Sequence, residues 1–294
     1  MKTTLTFLAG CCILVSAAKA QTDPPEAFTP PPTAREEASY SSESEPIKPL
    51  GKKFFTNILL DQKAIWTSPF HTTRDDAKWW LVFGAVTGGL IATDHWTAQQ
   101  LPNTRDQIRV SGYVSDVGSL YTIAPLTAGF YFVGVFTDNA KARETGLLGA
   151  EALADGMVVF EAFKLTVQRQ RPLEGDGHGQ FFHGGSSFPS GHSMESFALA
   201  SVIAHEYRSK KVALLAYGLA GLVSASRFSG RNHFASDIVA PAAAGWFIGT
   251  YVFNRHESVS RHRRFPSKAI LSPQVRPIIQ PQARQYGVAL NWHP

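Results

Sequence analysis

The sequence predicts an all-α fold, a helical bundle of about six apolar helices followed by a short C-terminal β-hairpin. Six apolar segments carry that reading, at Trp79 to Thr93, Leu120 to Phe136, Gly146 to Phe163, Ser193 to His205, Val212 to Ala225 and Ile238 to Phe253. They are rich in Ala, Leu and Gly and too long for ordinary strands. The chain, at 294 residues, has room for one large domain or two small ones, whose core needs no metal or disulfide to hold it. No internal repeat of solenoid length interrupts the pattern.

Residues 1–20 read as a secretory signal peptide: Lys2, an apolar run from Leu5 to Ala18, then Ala18-Lys19-Ala20 as a small-x-small cleavage site before Gln21. The two cysteines, Cys11 and Cys12, lie inside it. Cleavage after Ala20 leaves a mature chain without thiols, which excludes cysteine catalysis and disulfides. Leu8-Ala9-Gly10-Cys11 also fits a lipoprotein processing box that would leave Cys11 lipidated. Ordinary cleavage ranks first because the apolar run continues past Cys11, and an uncleaved anchor is the third reading.

Residues 21–53 form a Pro/Ser/Glu-rich tether, too polar to bury the surface that ordering requires. The helical domain is expected over 54–256. It opens with Phe54, Phe55, Ile58, Leu59, Ile65 and Trp66 at mostly helical spacing, either an interfacial membrane helix or an amphipathic helix packed on its own domain.

A bilayer span takes about 20 apolar residues. Of the six segments, the second and then the sixth come nearest, while the third carries Glu151, Asp155 and Glu161, costly in lipid unless they face a bundle interior. Residues 257–294 form a basic tail in which Gln274 to Ile279 and Gln285 to Trp292 alternate apolar and polar residues, the pattern of a hairpin. The net charge of +5 and pI of about 9.2 suit an anionic substrate or a lipid surface. Nucleic acid is disfavoured, because no basic-aromatic stripe accompanies the charge.

Three short motifs fall in order at the ends of these helices. Lys164-Leu-Thr-Val-Gln-Arg-Gln-Arg171-Pro172 sets two cations seven positions apart, on one face if the helix continues, with Pro172 discouraging helix at the residue before it. Alone, such cations are ordinarily solvated and favoured by the helix dipole. Phe188-Pro189-Ser190-Gly191-His192-Ser193 stands directly before an apolar run. Ser190 suits the N-cap, and the free amides from Gly191 onward suit an oxyanion. Ser226-Arg227-Phe-Ser-Gly-Arg-Asn-His233-Phe-Ala-Ser-Asp237 bridges the last two segments. On a helix His233 and Asp237 would be i,i+4 neighbours, so that the carboxylate fixes the ring's tautomer and leaves the other nitrogen free.

Together these resemble the three-part pattern KxxxxxxRP, PSGH and SRxxxxxHxxxD of the type 2 phosphatidic acid phosphatase (PAP2) and vanadium haloperoxidase superfamily, matched at every fixed position over a core from about Trp79 to Phe253. The resemblance implies that Lys164, Arg171 and Arg227 hold phosphate oxygens, with the Ser190 hydroxyl and Gly191 amide completing the cradle. It implies that His233 attacks phosphorus to give a phosphohistidine, that Asp237 orients His233, and that His192 protonates the leaving oxygen and then activates water. Fixed cations supply the electrostatic term, so no metal cofactor is expected, and vanadate enters as an inhibitor. In a haloperoxidase, the alternative, the same cradle holds vanadate as cofactor.

The remaining histidines, including His71, His95, His178, His183 and His205, show no metal-ligand spacing. In the glycine-rich loop 173–187, Phe181 and Phe182 either fold over the site toward an acyl chain or anchor the loop to the core. The expected protein is exported, membrane-associated and outward-facing, with fewer than six true spans and a phosphorylated partner, lipid or soluble.

Overall fold

The computed structural model describes residues 52–71, 73–264, 274–280 and 285–291. The signal peptide and nearly all of the tether lie outside the described residues. The order of elements is α1 Lys52–Thr67, a 3-10 turn Ser68–His71, α2 Arg74–Gln99, α3 Arg105–Val117, α4 Leu120–Phe136, α5 Ala140–Val167, α6 Gly191–Tyr207, α7 Lys210–Ser229, α8 Ala235–Arg264, β1 Gln274–Gln280 and β2 Gln285–Asn291. All six apolar segments are helical, in α2 and α4 to α8. The sequence reading did not anticipate α3, a largely polar helix whose buried residues are Ser111 and Ser115.

Local chemistry sets several helix ends. Thr73 and Asp76 close a reciprocal capping box on α2. The Asn139 side chain accepts the Ala142 amide at 3.0 Å to start α5. Helix α5 stops when Gln168 turns left-handed, at φ 44° and ψ 47°, ahead of Pro172.

Helices α5, α6 and α8 make the core, where Leu148, Ala152, Val159 and Phe160 meet Met194, Ala198, Val202, Ile248, Val252 and Phe253. Each large side chain there contributes about 1.5–3 kcal/mol relative to exposure. Small residues bring α6 and α8 together: a Cβ on Gly245 would stand 2.1 Å from the Met194 carbonyl oxygen, and one on Gly249 2.3 Å from that of Ala198. The first residues of α6 and α8 therefore lie at one end of the bundle, where the Ser190 amide donates to the Asp237 carbonyl at 2.9 Å.

Among the described residues, two stretches are long and apolar enough to cross a membrane, Arg105–Phe136 and Lys210–Ser229. The first contains the second apolar segment, as the sequence suggested. The other is the fifth segment rather than the sixth. Helix α8 carries Pro241 within it and spends its small residues against α6, whereas α7 turns Leu214, Leu215, Leu219 and Leu222 outward. Strands β1 and β2 pair antiparallel, with Gln274 opposite Asn291 and Gln280 opposite Gln285.

Candidate active site

The first motif does not run as one helix. Because α5 ends at Val167, Lys164 stands on its last turn and Arg171 in the following loop, so the expected shared helix face is replaced by a turn. The Lys164 ammonium lies 4.6 Å from the centroid of the Phe160 ring and 3.7 Å from Glu161. Arg171 donates to Ser186 Oγ at 3.2 Å, and its backbone amide donates to Glu174 at 2.9 Å. The buried Nε of Arg171 has no protein partner.

The second motif starts α6. Ser190 occupies the N-cap position, but its hydroxyl makes no capping bond. That Oγ is buried and without a protein partner, as is Ser193 Oγ. The first-turn amides are thus left without a side-chain cap, the arrangement that favours an anion at a helix N-terminus. A Cβ on Gly191 would touch the Phe160 ring at 3.2 Å, so the ring that the Lys164 ammonium approaches also packs against Gly191.

The third motif corrects the expected pairing of His233 with Asp237. Helix α8 begins at Ala235, which leaves His233 in the preceding turn, off the helix face. The ring's Nδ1 donates to the Ser187 carbonyl at 2.6 Å, which fixes the tautomer and leaves Nε2 without a proton. Arg227 Nη2 stands 3.4 Å from that Nε2, while Nη1 donates to Ser115 Oγ at 2.7 Å. The Asp237 carboxylate instead accepts from Ser187 Oγ at 2.5 Å, from the Phe234 amide at 2.9 Å and from Arg169 Nη1 at 2.6 Å.

Arg169 and Asp94 are the residues that sequence reasoning missed. Arg169 is only 1% exposed, with its guanidinium carbon 4.6 Å from the Phe181 ring centroid and 4.4 Å from that of Phe234. It pairs with Asp237 at 2.6 Å and with Asp94 at 2.9 Å. Asp94, buried near the end of α2, also accepts from the Ser236 amide at 3.0 Å. An Arg inside the first motif and a carboxylate directly after an apolar segment were the available signals. The two loop phenylalanines divide their roles: Phe181 anchors the loop on Arg169, and Phe182 is 75% exposed.

Both histidines are held neutral. The pKa of His192 is pushed down to about 4, by burial first and then by Arg227, Lys164 and Arg171. His233 is lowered well below its ordinary value by burial, with Arg227, Arg171 and Lys164 adding to the effect. The three cations of the first and third motifs therefore bear on both rings at once. Among the described residues, no group of three or more His, Cys, Asp or Glu side chains is arranged to hold a metal. His95 and His178 stack on each other at 3.7 Å, and His205 bonds to the Ser201 carbonyl at 2.7 Å.

The family model of the PAP2 superfamily matches residues 145–261, the stretch that holds all three motifs. A lipid A 1-phosphatase of Porphyromonas gingivalis is 32% identical over 161 residues, covering 50% of this chain and 34% of that protein. The match thus spans about a third of that relative's length. Two solved structures align with the fold. The PAP2 type phosphatidylglycerolphosphate phosphatase from Bacillus subtilis has a TM-score of 0.45 at 22% identity, covering 70% of this chain and 96% of its own. Aquifex aeolicus LpxE has a TM-score of 0.42 at 19% identity, covering 52% and 88%. The segment from 145 to 261, from the second turn of α5 into the last turns of α8, is similar to the PAP2 superfamily.

Proposed function

We propose that this chain is a metal-independent phosphatase acting on a lipid phosphate outside the cytoplasm, through a phosphohistidine on His233. One observation carries the reading: Lys164, Arg171 and Arg227 all act on His192 and His233, beside a buried Ser190 hydroxyl that no protein group satisfies. Three fixed cations and a free hydroxyl suit the three non-bridging oxygens of a phosphoryl group. The name of the 32% identical relative and the apolar outer faces of α4 and α7 favour a lipid over a soluble monoester.

In this mechanism Nε2 of His233 forms a bond to phosphorus as the ester oxygen departs with its electron pair and takes a proton from His192. Neutral His192 then removes a proton from water, which attacks the phosphohistidine and releases inorganic phosphate and free His233. A bound phosphate dianion offsets the three cations, so His192 gains a proton more readily in the complex than in the empty site. The charge at the transition state is met by side chains and backbone amides, so the chemistry calls for no metal.

The test is phosphate release from a panel of long-chain lipid phosphates and from p-nitrophenyl phosphate, each with EDTA and with vanadate. Release from lipid that survives EDTA and stops with vanadate is the expected result. Loss in EDTA restored by a divalent metal overturns the mechanism, and vanadate-dependent halide oxidation without phosphate release overturns the activity. Reporter fusions after Ser42 and Glu174 test the location: both should report outside, and a cytoplasmic signal at Glu174 refutes it.

A further inference from the structure

Helix α1 lies ahead of the residues that match the PAP2 family, yet it reaches the rim of the phosphate cradle. Trp66, on its last turn, stacks on Phe163 at 5.6 Å between ring centroids, with planes 27° apart. Phe163 precedes the cradle cation Lys164, and its ring meets Phe188 edge-on at 6.5 Å. Phe188 in turn stands two positions before Ser190 in the second motif. Three rings thus run without a break from the start of the anion site to the outer surface of α1.

The wall is held rigidly. Trp66 Nε1 donates to Gln62 Oε1 at 3.0 Å. The Gln62 amide donates to Asp155 Oδ1 at 2.9 Å and to the Asp155 carbonyl at 3.1 Å, both on α5. One residue earlier, Asp61 is buried and paired with Arg255 of α8, and Arg255 also donates to the Asn57 carbonyl at 3.2 Å. Helix α1 is therefore pinned to α5 and α8 through polar bonds, and the indole has a fixed orientation. Even so, Trp66 remains 42% exposed and Phe163 39% exposed. A side chain whose orientation is locked from beneath while its face stays open has the character of a preorganised binding surface.

We infer that Trp66, Phe163 and Phe188 form an apolar subsite that receives the acyl portion of the phosphorylated substrate next to the cradle, making α1 a specificity element. This rests on the phosphatase reading for its reaction, and it narrows the substrate to a phosphate ester with a long hydrocarbon chain. The rings carry no charge, so a short soluble ester gains little from them. A long chain buries aromatic surface as its phosphate enters the cradle.

Two measurements on the full chain in detergent test it. In the first, equilibrium binding of a long-chain alkyl phosphonate is compared with that of methyl phosphonate, for the native protein, Trp66→Ala and Trp66→Phe. Trp66→Ala should weaken the long-chain ligand about tenfold, leave methyl phosphonate within about twofold, and be partly rescued by Trp66→Phe. Equal weakening of both ligands, or of neither, overturns the subsite. The second compares kcat/KM for a dioleoyl phosphate ester with that for p-nitrophenyl phosphate, and the same chain-selective loss is expected. Absence of turnover on every ester, with chain-selective binding intact, overturns the phosphatase reading and upholds the subsite.

Discussion

Asp237 is joined to His233 through Ser187. The Ser187 hydroxyl donates to the carboxylate at 2.5 Å, while its backbone carbonyl accepts from the ring at 2.6 Å. A single residue, bonded through its side chain to one partner and through its main chain to the other, transmits the position of the carboxylate to the His233 ring.

Ser187→Ala should therefore keep the backbone bond to the ring but release the loop that carries it. The expected loss in kcat is about 10-fold, with KM little changed, in the range typical of groups that orient a reacting residue. Asp237→Asn should cost more, because it also deprives Arg169 of a charge. Steady-state kinetics on both variants checks this, and a Ser187→Ala enzyme of native kcat would remove Ser187 from the relay.

Asp94→Asn should reduce stability by about 3 kcal/mol, the lower end for a broken buried ion pair because Arg169 keeps Asp237. In a domain of this size that is a fall in Tm of roughly 6–12 °C. Thermal unfolding monitored by tryptophan fluorescence reads it directly. An unchanged Tm would mean that Asp94 contributes no more than packing.

His233→Ala should abolish turnover and covalent labelling by a phosphorylated substrate together. His192→Ala should slow turnover while letting the phosphoenzyme accumulate from a substrate with a good leaving group, since proton donation is then dispensable but water activation is not. Rapid quench in alkaline SDS followed by alkaline-stable, acid-labile phosphate analysis separates the two, and full activity in His233→Ala would refute its role as nucleophile.

The lowered pKa of His192 has a definite sign for stability. The unfolded ring takes a proton near pH 6.5, whereas the folded ring resists until about 4, so the unfolded state binds more protons and the native state loses stability as pH falls across that window. Above the window the group is neutral in both states and contributes nothing. His192→Asn lacks this penalty. Relative to the native protein it should gain about 1 kcal/mol between pH 7.5 and 5, allowing for solvent screening of a ring that is only partly buried. Denaturant midpoints at the two pH values measure the difference, and a gap that does not change with pH would show that the ring titrates normally.

The apolar segments revealed the helices because their length and composition leave no other regular structure, and the three motifs pointed to the proposed cradle because each falls beside a helix end. The sequence pattern did not reveal where those helices stop. Lys164 and Arg171 share seven-residue spacing, but the left-handed turn at Gln168 depends on loop 168–187 folding back, as when the Ser187 amide donates to the Arg169 carbonyl at 2.8 Å. The i,i+4 spacing of His233 and Asp237 was misleading for the same reason, since α8 begins only at Ala235. Asp94 and Arg169 lie 75 positions apart, and only the tertiary fold reveals that they are partners.

The seam between α6 and α8, where Gly245 and Gly249 set backbone against backbone, also governs when the site comes into being. Ser190 and Gly191 open one of these helices, and His233 and Asp237 lead into the other. The free first-turn amides of α6 and the proposed nucleophile His233 therefore meet only once the two have docked. A partly folded chain holds neither half in working form, so chemical competence and completion of the core arrive in the same step, and any lesion at the glycine seam should reduce the number of active molecules before it alters the rate of each one.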